Sequence, residues 1–119
     1  MTEENFFKVA VPDNVACQVM EYHWGRATLL IRLRRHNSPE VQYIRFSGVE
    51  YFAGPMLWDG AAFDLRDPEE CLNVLRDAGR VNDLVDVEHL TAQGLRLYTV
   101  TLPNTLVCVV AKQASRHSA

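Results

Sequence analysis

Ala27, Leu29, Ile31 and Leu33 occupy every second position of residues 26–35, and Ile44 and Phe46 do the same within residues 40–49. Alternation at period two marks a strand with one buried face. Between the two runs lies the turn sequence His36-Asn37-Ser38-Pro39. Antiparallel pairing across that turn brings the apolar positions onto one face and forms a core layer. The opposite face then carries Thr28, Leu30, Arg32 and Arg34 beside Tyr43, Arg45 and Ser47. Residues 15–23 supply a further strand, joined through a tight turn at Trp24-Gly25. Met20 and Tyr22 are expected on its core face, with Cys17 and His23 on the other. Residues 15–49 thus read as a three-stranded meander whose last strand extends toward Phe52. An earlier strand is expected over residues 5–11, stopped by Pro12-Asp13-Asn14.

The period changes after Asp67-Pro68-Glu69-Glu70. Asp67 suits a cap, Pro68 the first helical position, and the two glutamates the positive helix end. Cys71, Val74, Leu75 and Ala78 follow at helical spacing, with Leu72 beside them, and Gly79 supplies a stop. Residues 80–90 carry no clear period, and an extended segment is expected over residues 84–90. Residues 95–102 and 105–111 are β-branched and apolar around Pro103-Asn104, a hairpin. The run LVCVVA is apolar on both faces, which places that strand centrally or under the helix. The expected fold is α+β: a curled antiparallel β-sheet of about six strands, meander plus C-terminal hairpin, with one α-helix packed on it. Residues 1–4 and 113–119 read as frayed ends of a single domain spanning 1–119.

The chain has 119 residues, 48% of them hydrophobic and 23% charged, as in ordinary globular proteins. A net charge of −3 gives no long-range attraction to nucleic acid or to an anionic membrane. No apolar run approaches the roughly 20 residues of a membrane helix. The N-terminal sequence MTEENFFKVAV is acidic where a secretory leader is basic, so a cytoplasmic location is expected. Cys17, Cys71 and Cys108 are odd in number, widely spaced and set among apolar neighbours. They are expected to be buried, reduced thiols.

Two groups of residues are candidates for binding. Five of the eleven aromatic residues fall between Phe46 and Phe63, interleaved with Gly48, Gly54, Pro55 and Gly60. Within that stretch Tyr51, Phe52, Trp58 and Phe63 are candidates for a pocket wall or an interface, since Trp and Tyr are favoured at binding hot spots. The simpler reading is that they plug one end of the sheet. The second group is the face carrying Arg32, Arg34, Tyr43 and Arg45, which could grip carboxylates or phosphates on a rigid sheet. The simpler reading is a solvated face paired with acids such as Glu21 across the sheet. With Tyr43 the one exposed stacking platform, that face is not expected to bind nucleic acid.

No catalytic, metal or cofactor motif is present in the sequence. Asp59, Asp64, Asp67, Glu69 and Glu70 are explained by turns and by the helix start, and they lack the spacing of a calcium loop. His23, His36, His89 and His117 show no ligand spacing, and no Gly-x-Ser-x-Gly, phosphate loop or dinucleotide fingerprint occurs. The expected function is a non-enzymatic protein-interaction domain whose partner is another protein or a second copy of the chain. In size and acidity, though in no motif, such a chain is similar to bacterial immunity proteins of toxin systems. The alternative is a small-molecule-binding domain with an aromatic pocket between sheet and helix; an enzyme with a dispersed site ranks third.

Overall fold

In the computed structural model, which describes residues 2–23 and 27–118, the chain forms two antiparallel sheets and a helical layer. The expected Trp24-Gly25 turn lies outside the described residues. The strands are β1 (Val15–His23), β2 (Thr28–Arg35), β3 (Val41–Ser47), β4 (Tyr51–Ala53), β5 (Leu57–Asp59), β6 (Asp64–Leu65), β7 (Arg96–Thr101), β8 (Leu106–Ala111) and β9 (Gln113–Ser118). The helices are α1 (Pro68–Asp77) and α2 (Val87–Ala92). One sheet has the order β5-β1-β2-β3-β9, the other β4-β8-β7-β6. The class is α+β as expected, but the strands divide between two sheets.

The meander is present, and β2 and β3 have their expected facing. Leu29 pairs with Phe46 and Ile31 with Ile44, all four fully buried between the sheets. β1 departs from simple alternation. A bulge at Met20 shifts its register against β2, so that Val19 pairs with Ile31 and Glu21 with Leu30. An extra residue in one strand reverses which parity points inward. Cys17 and Val19 are therefore buried, Tyr22 still packs on the core, and Met20 and His23 are turned out. This corrects the expected core position of Met20 and the shared face of Cys17 and His23.

The sheets separate at a corner. After β3 the chain turns at Gly48, with φ +63°, and enters the other sheet as β4. After β8 it turns at Lys112 and enters the first sheet as β9. These two crossings lie side by side: the Lys112 amide donates to the carbonyls of Ser47 (3.1 Å) and Gly48 (3.3 Å), and the Glu50 amide to that of Val110 (2.8 Å). A Cβ on Gly48 would stand 2.9 Å from the Lys112 Cβ. Strands that switch sheets make such corners in sandwiches. β9 therefore corrects the expectation of a frayed end at 113–119. It pairs with β3 over six residues, from Gln42↔Ser118 to Ser47↔Gln113.

The inter-sheet core is aromatic. Phe7 meets Phe46, Phe63 and Tyr98 at ring centroid distances of 6.0, 5.7 and 5.9 Å. Phe6 adds edge contacts with Phe7 and Tyr98. Residues 5–11 form turns, in place of the expected strand. A strand would send the adjacent rings of Phe6 and Phe7 to opposite faces. Positive φ at Asn5, Lys8 and Val11 bends the chain so that both rings pack on the core. Asn5 holds the bend, donating from Nδ2 to the Val9 carbonyl (3.0 Å) and accepting from the Val9 amide (3.2 Å). Glu3 bridges Leu65, so the expected frayed end over 1–4 is paired at that residue.

β8 is apolar on both faces because both are covered. Val107, Val109 and Ala111 face the other sheet, while Cys108 and Val110 lie under α1 and α2 with Cys71, Leu72, Leu75 and Leu90. Asp67 takes the expected position before α1, but its side chain does not bond the helix amides. Residues 87–92 are helical where an extended segment was expected. Asp86 and His89 form a capping box that nucleates this short turn, and Leu90 docks on the sheet. Alternating Val85 and Val87 mimic a strand, but tertiary burial of Leu90 decides.

Gly79 also has φ +68°, but a Cβ there meets nothing within 4 Å. Gly79→Ala is expected to cost about 1 kcal/mol from backbone strain alone. Gly48→Ala adds crowding against Lys112 and is expected to cost about 2–3 kcal/mol. Urea unfolding midpoints of the two variants check this; equal losses would show that the corner tolerates the methyl group.

Candidate functional site

The structure divides the four candidate aromatics between two buried clusters, Phe52, Trp58 and Phe63 at the inter-sheet core and Tyr51 at the helical layer. Trp58 lies on β5 opposite Cys17, 6% exposed. Its indole Nε1–H donates to the Gly60 carbonyl (2.8 Å), and its ring stands 6.3 Å from Phe63. Phe63 is wholly buried between the sheets. Phe52 packs toward the inter-sheet core against Tyr22, at 5.8 Å. Tyr51, its neighbour on β4, points the other way and packs against the helical layer. Successive strand residues face opposite sides, so Tyr51 and Phe52 cannot share a wall. Between α1 and β7 there is a cleft of about 230 Å³, lined by Leu65, Pro68, Cys71, Leu95 and Leu97 with Arg66 and Arg96. None of the four aromatics lines it.

The arginine face is brought together. Register places Arg32 beside Gln18 on one side and Tyr43 on the other, with His117 beyond Tyr43. Arg34 lies opposite Ala16 and Val41, and Arg45 opposite Leu30 and Ser115. This is the outer face of the five-stranded sheet, on the side away from the second sheet. No outward residue of β1, β2 or β3 is fully buried, and Arg34 and Arg45 are exposed. At the β5 edge Leu57 is 63% exposed, and Met20 on the adjoining bulge is 43% exposed. Beside Arg32 and Tyr43 is a depression of about 490 Å³, also lined by Pro39, Glu40, Val41, Gln42 and Ser118.

The expected pairing with acids is absent among the described residues. Glu21 is turned by the bulge toward His23 (3.3 Å), and Asp59 meets His36 (2.9 Å). No described acid lies within ion-pair distance of Arg32, Arg34 or Arg45. Arg32 donates from Nη2 to the neutral Gln18 Oε1 (2.7 Å), while its Nε is buried and has no hydrogen-bond partner among the described residues. A buried guanidinium N–H left unbonded is unusual and asks for an explanation. Sequence alternation gave the arginines. It missed Leu57, Met20 and His117, whose outward placement depends on the bulge and on an edge strand lacking apolar alternation.

Cys17, Cys71 and Cys108 are buried and unpaired with one another. Cys17 Sγ–H donates to the Gly60 carbonyl (3.4 Å). Burial, with the Asp59 carboxylate nearby, pushes the Cys17 thiol up to about 12, and burial pushes Cys71 up to about 11. These are thiols held protonated, opposite to the activated thiolate of a nucleophile. No group of three metal-ligating side chains occurs among the described residues. No described helix is long and apolar enough to cross a membrane. No family model, curated protein or solved structure matches the chain.

Raised thiol pKa values set the sign of an alkaline effect. Below the ordinary value of 9.0 folded and unfolded thiols are both protonated, and the buried thiols cost nothing in pH dependence. Above 9.0 the unfolded chain ionises first and binds fewer protons, so stability falls as pH rises toward about 12. Urea titrations at pH 8 and pH 10.5 should show lower stability at the higher pH. Native protein at pH 8 should resist alkylation at Cys17 and Cys71 until denatured; rapid labelling would contradict their burial.

Proposed function

We propose that this chain is a non-enzymatic protein-interaction domain, and that its partner presents an acidic surface to the outer face of the five-stranded sheet. The observation that carries this reading is the trio Arg32, Arg34 and Arg45 on a rigid, uncovered sheet without acid partners among the described residues. Interfaces are enriched in Arg, Tyr and Met and depleted in Lys and Glu at their centres. This face has Arg32, Arg34, Arg45 and Tyr43 at its centre, with Leu57 and Met20 at its margin. Carboxylates of a partner would accept from the guanidiniums. An immunity-like role, with one dedicated partner, suits a face that is preformed on strands. Three buried, reduced thiols favour a cytoplasmic setting. A second copy of the chain is the competing occupant, with β9 as the longer free edge of this sheet. The small-molecule alternative has no common aromatic wall to rest on, since Tyr51 faces the helical layer while Phe52, Trp58 and Phe63 are packed at the inter-sheet core.

The test is affinity capture from the source cells with cross-linking, comparing the wild type with an Arg32→Leu, Arg34→Ala, Arg45→Ala variant. The wild type should retain one acidic protein that elutes as salt rises. The variant should lose it while its unfolding midpoint stays within about 0.5 kcal/mol of the wild type, since a buried guanidinium without a full set of bonds adds little stability. Equal retention by both proteins would reject the face. Sedimentation of the purified chain decides between a foreign partner and self-association.

A further inference from the structure

Lys112 does more than turn the corner. It also lines a groove of about 390 Å³ together with Arg45 from β3 and Arg96 from β7. The remaining lining is Phe6, Ser47, Tyr98, Gln113, Ala114 and Ser115. Three cationic residues thus border one groove, with Ser47, Tyr98, Gln113 and Ser115 as polar neighbours, the Ser115 Oγ being paired with His117 Nε2 (2.8 Å). No carboxylate lines it, and no described acid lies within ion-pair distance of Arg45, Arg96 or Lys112.

The three charges are brought together by backbone features far apart in sequence. Arg96 is paired to Ala111, one residue before Lys112. Arg45 is paired to Ser115, three residues after it. The corner at Gly48 fixes Lys112 against β3 through its bifurcated amide bond. Like charges gathered in a groove with low-dielectric walls create a local positive potential, even in a chain of net charge −3. Tyr98 forms part of the wall and is 2% exposed. Burial pushes its phenol up from the ordinary value, with Arg96 beside it pulling partly back.

We infer that this groove binds a phosphate-class dianion, either the free ion or the phosphoryl group of a small monoester. Guanidinium groups present planar forks that match phosphate oxygens, and Lys adds a point charge. The hydroxyl and amide groups complete a donor set that a monovalent, compact anion such as chloride cannot use. The exposed-face proposal and this one share Arg45 but not Arg96 or Lys112, so each can fail without the other.

The experiment is a titration of the full chain, followed by amide NMR shifts and by thermal unfolding, with inorganic phosphate and separately with phenyl phosphate. Chloride at equal ionic strength is the control. Saturable shifts at Ser47, Gln113 and Ser115, at about 1–10 mM or tighter, are expected, with a rise in Tm that chloride does not give. An Arg96→Ala, Lys112→Ala variant should bind at least about tenfold more weakly, because two charge-assisted contacts are lost. Arg96→Lys with Lys112→Arg keeps the charge and should retain binding, and this guards against loss through misfolding. Tighter binding of phenyl phosphate assigns a monoester whose organic part lies along Phe6; equal affinity assigns the free ion. Linear, unsaturated shifts matched by chloride, or unchanged binding in the alanine variant, would overturn the proposal.

Discussion

The structure depends on the close approach of Gly48 to Lys112. Two neighbouring strand pairs leave one sheet and enter the other at this point, and they do so together. Ser47 pairs with Gln113 in the first sheet, and Tyr51 with Val110 in the second. Between those pairs the two segments must turn in register, with the Gly48 backbone against the Lys112 side chain. A residue without a Cβ and with φ +63° permits it. The corner fixes the angle between the sheets, and hence the space that Phe7, Phe46, Phe63 and Tyr98 fill. The N-terminal loop closes that space from the open side. Arg116, on the inner side of β9, donates to the carbonyls of Phe7 (2.7 Å) and Lys8 (3.1 Å). The last strand thus ties down the first residues of the fold.

The layering then decides where function can reside. The four-stranded sheet is covered on both sides, by the other sheet and by the helices. The five-stranded sheet is covered on one. Its outer face is left open by the described residues, and β1, β2 and β3 hold its side chains on rigid backbone. The strand β8 shows the same logic in sequence. A run that is apolar at every position belongs in the middle layer, whereas the alternation of β2 and β3 belongs in an outer one.

How much of this was legible in the sequence follows from the range of the forces involved. The meander, the helix from Pro68 and the final hairpin are set by local period and turn chemistry, and all three stand where the pattern places them. The division into two sheets is set by Gly48 and Lys112, 64 positions apart in the numbering, so no local window contains it. The bulge at Met20 is a single extra residue that inverts parity, which an alternation count reads as noise. β9 is polar at nearly every position and survives as a strand because it completes an existing edge. At the candidate site the same division holds. Arg32, Arg34 and Arg45 come from local alternation and were readable. Arg96 and Lys112 join Arg45 through sheet pairing across the fold, and nothing in their own neighbourhoods marks them. The aromatic run was conspicuous by composition, but composition does not say whether a ring is core or surface. Here Trp58 and Phe63 are core.

Net charge says little about which face a proposed partner would meet. Residues 67–88, which include α1, carry seven acids against two arginines, a net −5, so the rest of the chain is net +2 although the whole is −3. The helical layer and the outer face of the five-stranded sheet are separated by the thickness of the sandwich. Stacked layers are about 10 Å apart. The Debye length at physiological salt is about 8 Å. Across two layer spacings the acidic side is screened from the basic one, and each face presents its own field to whatever approaches. An acidic partner is therefore compatible with an acidic protein, provided it meets the sheet and not the helices. Under the proposed reading the orientation of binding would follow from the charge distribution, and the fold is what separates the charges.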